Sequence, residues 1–365
     1  FLSVVFIHTG AAFAERRGLA GAALVDCKEF PGRSVEEPPD GKVLRGSHDG
    51  FVEALVLNMA LLRRRIRDPH LTMESHRLGS RSKTDAVLCY LEDKADPNLL
   101  ADIREKLKKL DVNSLSMAQE SLAEAIRPKQ WYNPFPKVRY TERPDTAAAQ
   151  LMEGSVLVIC DTSPQVMILP TSIFDFMQET NDFYFPPLTG TYIRIVRHAV
   201  FWLTLFLTPT WYLLITHPQF LPEWLSFILP TETGRIPIIA QLLLVEFMID
   251  GLRMASLNTP SMLSNSLSVV GGLILGDCAV EIGWLIPEVI LYMAFVAIAN
   301  FTQRSYELGY AFKFMRMGLL ILTAIGGYWG FGAGLAGIVI LLLTNVTVTG
   351  KRHYLYPLIP FDGKA

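Results

Sequence analysis

Cysteine is scarce. The 365 residues hold four, at positions 27, 89, 160 and 278, with no paired spacing, which argues against a zinc site and against a disulfide framework. They read as small buried apolar residues. Seven histidines are scattered, and His8, His48, His70 and His76 share no ligand spacing on one helix face. The chain has no phosphate-binding glycine loop, no dinucleotide fingerprint and no nucleophile elbow, so no enzyme class is indicated and neither cofactor nor metal is expected. Charge is sparse as well: 19% of residues are charged and the net charge is −2. That leaves no basic surface for nucleic acid beyond the local cluster Arg63-Arg64-Arg65.

What the chain does have is apolar length, unevenly placed. Half of its residues are hydrophobic. Residues 1–198 read as a charged globular sequence, whereas 199–348 hold long apolar runs with few Lys or Arg. The expected fold class is an α/β cytoplasmic region of two small subdomains, followed by an α-helical polytopic membrane domain. The predicted divisions are a first α/β subdomain over 1–126, a linker and second small subdomain over 127–198, a membrane domain over 199–348, and a cytoplasmic tail over 349–365. Phe1 stands where Met would open a chain, and Phe1 to Ile7 has the pattern of a strand interior, so truncation is expected at the N-terminus.

In the first region apolar strands alternate with helical patterns: a strand at Leu2 to Ile7, a helix near Asp49 to Arg67, a strand at Ala86 to Leu91 and a helix at Asn98 to Leu110. Pro97 and the pair Asp68-Pro69 punctuate the helices. Lys129 to Arg143, rich in Pro and aromatics, reads as an ordered linker because Pro134 and Pro136 favour extended chain. A helix near Thr146 to Met152 follows. Then comes a hairpin of Ser155 to Cys160 with Gln165 to Leu169 around Asp161-Thr-Ser-Pro164, and a helix from Thr171 to Gln178.

A membrane span needs about 20 apolar residues. Candidates are Ala199 to Thr216, Ile236 to Leu257, Leu267 to Leu285, Val289 to Phe301 and Leu319 to Val346, giving about four to six helices. The last run holds Gly326, Gly327, Gly330, Gly332 and Gly334, so it allows either one tilted helix or a tight hairpin. Arg194, Arg197, Arg304, Lys313 and Arg316 are read as loop charges that place the soluble region in the cytoplasm. Leu221 to Leu229, in an external loop, reads as a short interfacial helix.

Acids inside the apolar runs carry the functional signal. Glu246 and Asp250 are four residues apart, as are Asp277 and Glu281, so each pair projects from one helix face. A charge at the bilayer centre costs at least about 2.5–3.5 kcal/mol, so these residues must face protein, water or each other. One reading is a cation path through Asp277, Glu281, Glu246 and Asp250. The other is structural pairing, such as Asp250 with Arg253, or an amphipathic helix in the interface. Gly271, Gly272, Gly276, Ala279 and Gly283 allow close helix contact, which favours packing into an assembly.

Several strings resemble the GerA family of spore germination proteins: PGRSVEEP (31–38), RGSHDGF (45–51), RRRI (63–66), SKTD (82–85), NPFPKVRYTERPD (133–145) and SYELGYAFKFMR (305–316). The resemblance covers essentially the whole chain. It implies a multi-pass protein of the inner spore membrane that acts in germination, forms a homo-oligomer of five subunits around a path releasing monovalent cations, and meets other membrane germination proteins and membrane lipid. A non-conducting scaffold for germination receptors and a secondary transporter are the competing expectations. The Pro-fixed backbone of these strings, with Arg139, Glu142, Arg143 and Asp145, suits a rigid salt-bridged junction, either between subunits or within the chain.

Overall fold

The computed structural model describes residues 2–7, 11–16, 22–26, 33–38, 41–43, 45–110, 112–231, 234–258, 279–303, 305–348 and 354–355. Strands β1 (Leu2–Ile7), β2 (Ala11–Arg16) and β3 (Ala22–Asp26) form a three-stranded antiparallel sheet. A second sheet contains β4 (Leu71–Leu78), β5 (Thr84–Leu91), β6 (Arg139–Thr141), β7 (Val156–Cys160) and β8 (Val166–Leu169). Its order is β4-β5-β7-β8-β6, with every neighbouring pair antiparallel.

Successive side chains point to opposite faces and both faces are covered, which is why β7 and β8 are apolar throughout and β5 is apolar from Ala86 onward. Helices α1 (Leu55–Arg65) and α4 (Pro144–Met152) cover one face of this sheet, and α2 (Pro97–Lys108) and α3 (Gln119–Ile126) cover the other. Leu88, Tyr90, Val156, Val158 and Met167 pack toward Ile103 and Leu122. Val87, Cys89, Leu157, Ile159 and Ile168 pack toward Leu62 and Leu151. Local signals set the helix starts: Pro97 opens α2, and the Asp96 side chain accepts the Asn98 N–H at 2.9 Å.

This architecture corrects the expectation of two small subdomains. β7, assigned to the second, pairs with β5 of the first in the register Val87 with Ile159. Both strands are buried on both faces, so each needs two covering layers, and one shared sheet supplies them. The stretch read as linker contributes β6 at the sheet edge. Cys89 and Cys160 are buried among the core clusters of opposite faces, and burial pushes each thiol up to about 12, so both are packing residues. Cys27 and Cys278 lie outside the described residues.

Short helices α5 (Ile173–Met177) and α6 (Asn181–Tyr184) lead into α7 (Pro187–Thr216), α8 (Ile238–Asn258), α9 (Pro287–Phe301) and α10 (Tyr306–Leu343). A 3₁₀ helix occupies Glu223–Ile228, where an interfacial helix is expected from the sequence. α7 is long and apolar enough to cross a membrane by length and composition, as is Tyr306–Leu343 when counted as a single helix. Residues 259–278, which hold most of the third candidate span, lie outside the described residues.

α10 is a hairpin. Gly327 has φ 54° and ψ −129°, and the chain reverses there. A methyl group at Gly330 would overlap the carbonyl oxygen of Leu322 and lie 2.7 Å from its carbonyl carbon. In a straight helix those residues would be about 12 Å apart. Gly334 likewise faces Leu319, and Leu308, Ala311, Ile338 and Leu342 share one core cluster. The arms are 306–326, about 30 Å long, and 328–343, about 24 Å long, at ~1.5 Å per residue.

The sheet domain and helices meet around the 133–145 string. Asn133 donates to the carbonyl of Leu341 at 3.0 Å, near the end of the second arm. Phe135 packs against Phe312 and Tyr354, with ring centroids 6.2 and 6.0 Å apart. Lys137 is buried and donates to Gln130 Oε1 at 2.8 Å. Burial, helped by the nearby Arg127 charge, holds its ammonium down to about 8. Its folded value lies below its ordinary one, so between pH about 8 and about 10.5 the unfolded chain binds more protons. Stability is therefore expected to rise with pH across that window. Urea unfolding of native chain and Lys137→Met at pH 7.5 and 10 checks this: the variant should lose the rise.

Candidate functional site

The acids expected inside the apolar runs fall into two groups. Glu246 and Asp250, one turn apart on α8, face the first arm of α10, where Lys313 and Arg316 sit three residues apart. Arg316 Nε donates to Glu246 Oε1 at 2.7 Å, its Nη2 bonds the same oxygen, and its Nη1 donates to the carbonyl of Thr204 on α7 at 2.9 Å. Lys313 Nζ lies 3.3 Å from Glu246 Oε2, donates to the Glu246 carbonyl at 3.2 Å and pairs with Asp250. Glu246 is 4% exposed, Lys313 5% and Arg316 1%. Two acids and two bases thus neutralise each other near the middle of three packed helices, where a lone charge would be costly.

Two sequence expectations are corrected here. Lys313 and Arg316 are buried residues of the bundle, since α10 begins at Tyr306. Asp250 pairs with Lys313, where Arg253 was the expected partner. The Arg253 guanidinium instead lies 5.4 Å from the ring centroids of Phe301 and Tyr310. The useful signal was the matched spacing: Glu246 and Asp250 on one helix face answer Lys313 and Arg316 on another.

Glu281 stands apart from this cluster, exposed on a helical turn, Ala279–Glu281. Asp277 lies outside the described residues.

Of the junction residues, Arg143 and Asp145 form an intrachain clamp. Arg143 Nε donates to Asp145 Oδ1 at 3.0 Å and its Nη2 to Oδ2 at 2.5 Å. The same guanidinium bonds the carbonyls of Gly41 at 2.9 Å and Ser47 at 2.8 Å, and it is wholly buried. Burial works to raise the Asp145 carboxyl, but bonds from Arg143 and Tyr184 outweigh it and hold the group below the usual carboxylate range. Gly46, at φ +120°, sits under the Tyr184 ring, and Gly50 is packed so that a Cβ would come 2.7 Å from the Glu36 carbonyl oxygen. Residues 33–38, 45–51 and 133–145 therefore converge on one junction. Glu142 accepts from Gln165 at 3.1 Å, and Arg139 lies in β6 opposite Ile168.

Lysine at position 143 keeps the charge but cannot form the fork and reach both carbonyls. Arg143→Lys is expected to cost about 2–3 kcal/mol in chemical unfolding, since several hydrogen bonds to a charged group are lost. An unchanged unfolding midpoint would remove the clamp from this account.

Residues 4–365 match the family profile described as Bacillus/Clostridium GerA spore germination protein. Stage V sporulation protein AF of Bacillus subtilis (strain 168) is 44% identical over 95% of this chain and 70% of that protein. Uncharacterized membrane protein YfkQ of the same organism is 32% identical over 92% of this chain and 65% of its own length. The chain thus spans about two thirds of the length of these relatives. The crystal structure of the N-terminal domain of the A subunit of the Bacillus megaterium spore germinant receptor GerK3 is 36% identical, covering 33% of this chain and 93% of that one, with a TM-score of 0.27. The chain belongs to the GerA family of spore germination proteins.

Proposed function

We propose that this chain is a subunit of a multi-pass, homo-oligomeric assembly in the spore membrane that releases monovalent cations during germination, with the sheet domain on the cytoplasmic side. The observation that carries the membrane part of this reading is the polarity of the helices. Their charges are paired inside, while Phe247 (75% exposed), Leu291 (67%), Ile325 (81%) and Trp329 (91%) point outward. Such apolar exposure needs lipid or a neighbouring subunit. Family membership, and relatives named as spore germination proteins, support the germination role. Self-assembly, lipid and other membrane germination proteins follow as partners of this reading.

Within it, Glu246 and Asp250 hold the bundle closed through Lys313 and Arg316. Asp277 and Glu281 stay the path candidates, because Glu281 is exposed and has no ion pair among the described residues. The same pairing of Glu246 and Asp250 favours a second reading, a non-conducting scaffold whose helices only anchor the sheet domain. Cation release from spores carrying Asp277→Asn with Glu281→Gln, at matched protein abundance, separates the two. A channel predicts altered flux with partner binding intact; a scaffold predicts unaltered flux.

A further inference from the structure

Trp131 is 95% exposed and Tyr132 54%. Both stand at the corner of a reverse turn, which the Asn133 N–H closes on the Gln130 carbonyl at 3.2 Å. Their rings meet edge to face, with centroids 6.4 Å apart. Small and polar residues are the usual occupants of such a corner, and packing within the chain does not account for two large amphipathic rings there.

The turn is pinned to the end of the second arm of α10. Asn133 holds the Leu341 carbonyl, Gln130 Nε2 donates to the Thr344 carbonyl at 3.5 Å, and Gln130 Oε1 accepts from the Val346 N–H at 3.4 Å. Phe135 touches Phe312, whose ring centroid is 3.8 Å from that of Phe201 on α7. The 133–135 stretch is therefore level with Phe201 as well as with Leu341. One turn before Phe201, Arg197 pairs with Glu179 and Asp182, so charge begins on α7 just outside this level. In the other direction the outward side of the second arm is apolar, with Val339 and Ile340 exposed and Trp329 exposed near its far end. Trp329 is about 22 Å from Thr344 along the axis at ~1.5 Å per residue. Exposed tryptophans thus stand near both ends of an arm that reaches through most of a ~30 Å hydrocarbon layer.

Indole and phenol rings concentrate where hydrocarbon gives way to headgroups, because each joins an apolar body to a polar hydrogen-bonding tip. The stretch 127–137 carries Arg127, Lys129 and Lys137 and no acid, and Arg127 and Lys129 are exposed, which suits lipid phosphate. Building on the membrane reading of the helices, we propose that the Trp131–Tyr132 turn docks in the headgroup layer of the phospholipid bilayer and anchors the sheet domain against it. A second copy of the chain seated on the rings would leave the neighbouring exposed bases without a role.

Fluorine NMR of the full chain carrying fluorotryptophan, in nanodiscs of equal parts phosphatidylcholine and phosphatidylglycerol, tests this. The Trp131 signal is the one lost in Trp131→Phe, a change at an exposed position. A lipid spin-labelled near its headgroup is expected to broaden that signal several-fold, and a lipid labelled at the end of its acyl chain to broaden it far less. A Trp131 signal that responds to a water-soluble gadolinium chelate and not to labelled lipid overturns the proposal. So does a signal that responds to neither, the result if a second copy covers the turn. Alkaline washing of the chain in liposomes of the same lipids reads the membrane reading separately. A Trp131 untouched by lipid in a chain that stays with the liposomes strikes the anchor alone, and a chain that washes off strikes the membrane reading and the anchor with it.

Discussion

Arg316→Ala is expected to destabilise the helical region by about 3–5 kcal/mol, because it strips Glu246 of its main partner and leaves a buried carboxylate with only Lys313 beside it. The Thr204 carbonyl on α7 also loses its donor, so the variant should loosen α7 from α8 as well as α8 from α10. Replacing both members of the pair, as Glu246→Leu with Arg316→Met, should recover most of the loss, since an apolar pair of similar volume leaves no charge unmatched. Thermal unfolding of the purified chain in one detergent reads all three proteins. A single variant as stable as the native chain, or a double variant no better than the single, would contradict the pairing.

The second large effect is expected at the hairpin. Gly330→Ala places a methyl group against the Leu322 carbonyl, and backbone cannot give way as a flexible side chain does. Gly327→Ala forces a side chain onto φ 54° with ψ −129°. Each should cost about 1–3 kcal/mol, and together they should separate the arms. Gly332 is the internal control: it is exposed and nothing lies within 4 Å of an added Cβ. Gly332→Ala should be neutral or stabilise by about 0.5–1 kcal/mol through helix propensity. A disulfide scan between 319 and 334, read as mobility on a non-reducing gel, reports arm contact directly. Equal effects at all three glycines would rule the hairpin out.

These two features were not equally legible beforehand. The glycine cluster at 326–334 announces a hairpin as one of two options, but composition alone does not choose Gly327 as the reversal, because five glycines compete for it. The acids of α8 stand out because charge inside an apolar run is rare. Their partners do not, since Lys313 and Arg316 precede the longest apolar stretch and look like loop charges until α10 is seen to begin at Tyr306. A similar limit shaped the sheet. β7, β8 and β5 from Ala86 onward are continuous apolar runs, and the hairpin around Asp161 to Pro164 follows from turn chemistry. β4, with Glu74, His76 and Arg77 on an edge strand, carries no comparable signal, and β6 hides in a Pro-rich stretch. The pairing of β5 with β7 joins residues about seventy positions apart, and periodicity within a segment says nothing about which distant segment it pairs with.

The strings that carry the family resemblance read differently once folded. Residues 33–38, 45–51 and 133–145 make one intrachain junction, with Arg143 at its centre holding two loop carbonyls and Asp145. Asn133 and Phe135, at the start of the 133–145 string, carry contacts of the sheet domain to α10. Phe135 touches Phe312, the residue next to Lys313 of the buried charge cluster.

Potassium efflux from liposomes holding the purified full-length protein tests the central claim most directly. The account predicts efflux that rises with the amount of inserted protein, excludes anions, and changes in the Asp277→Asn, Glu281→Gln variant at equal insertion. Efflux no greater than from empty liposomes, with the native protein shown to be inserted and folded, would contradict it and leave the scaffold reading in its place.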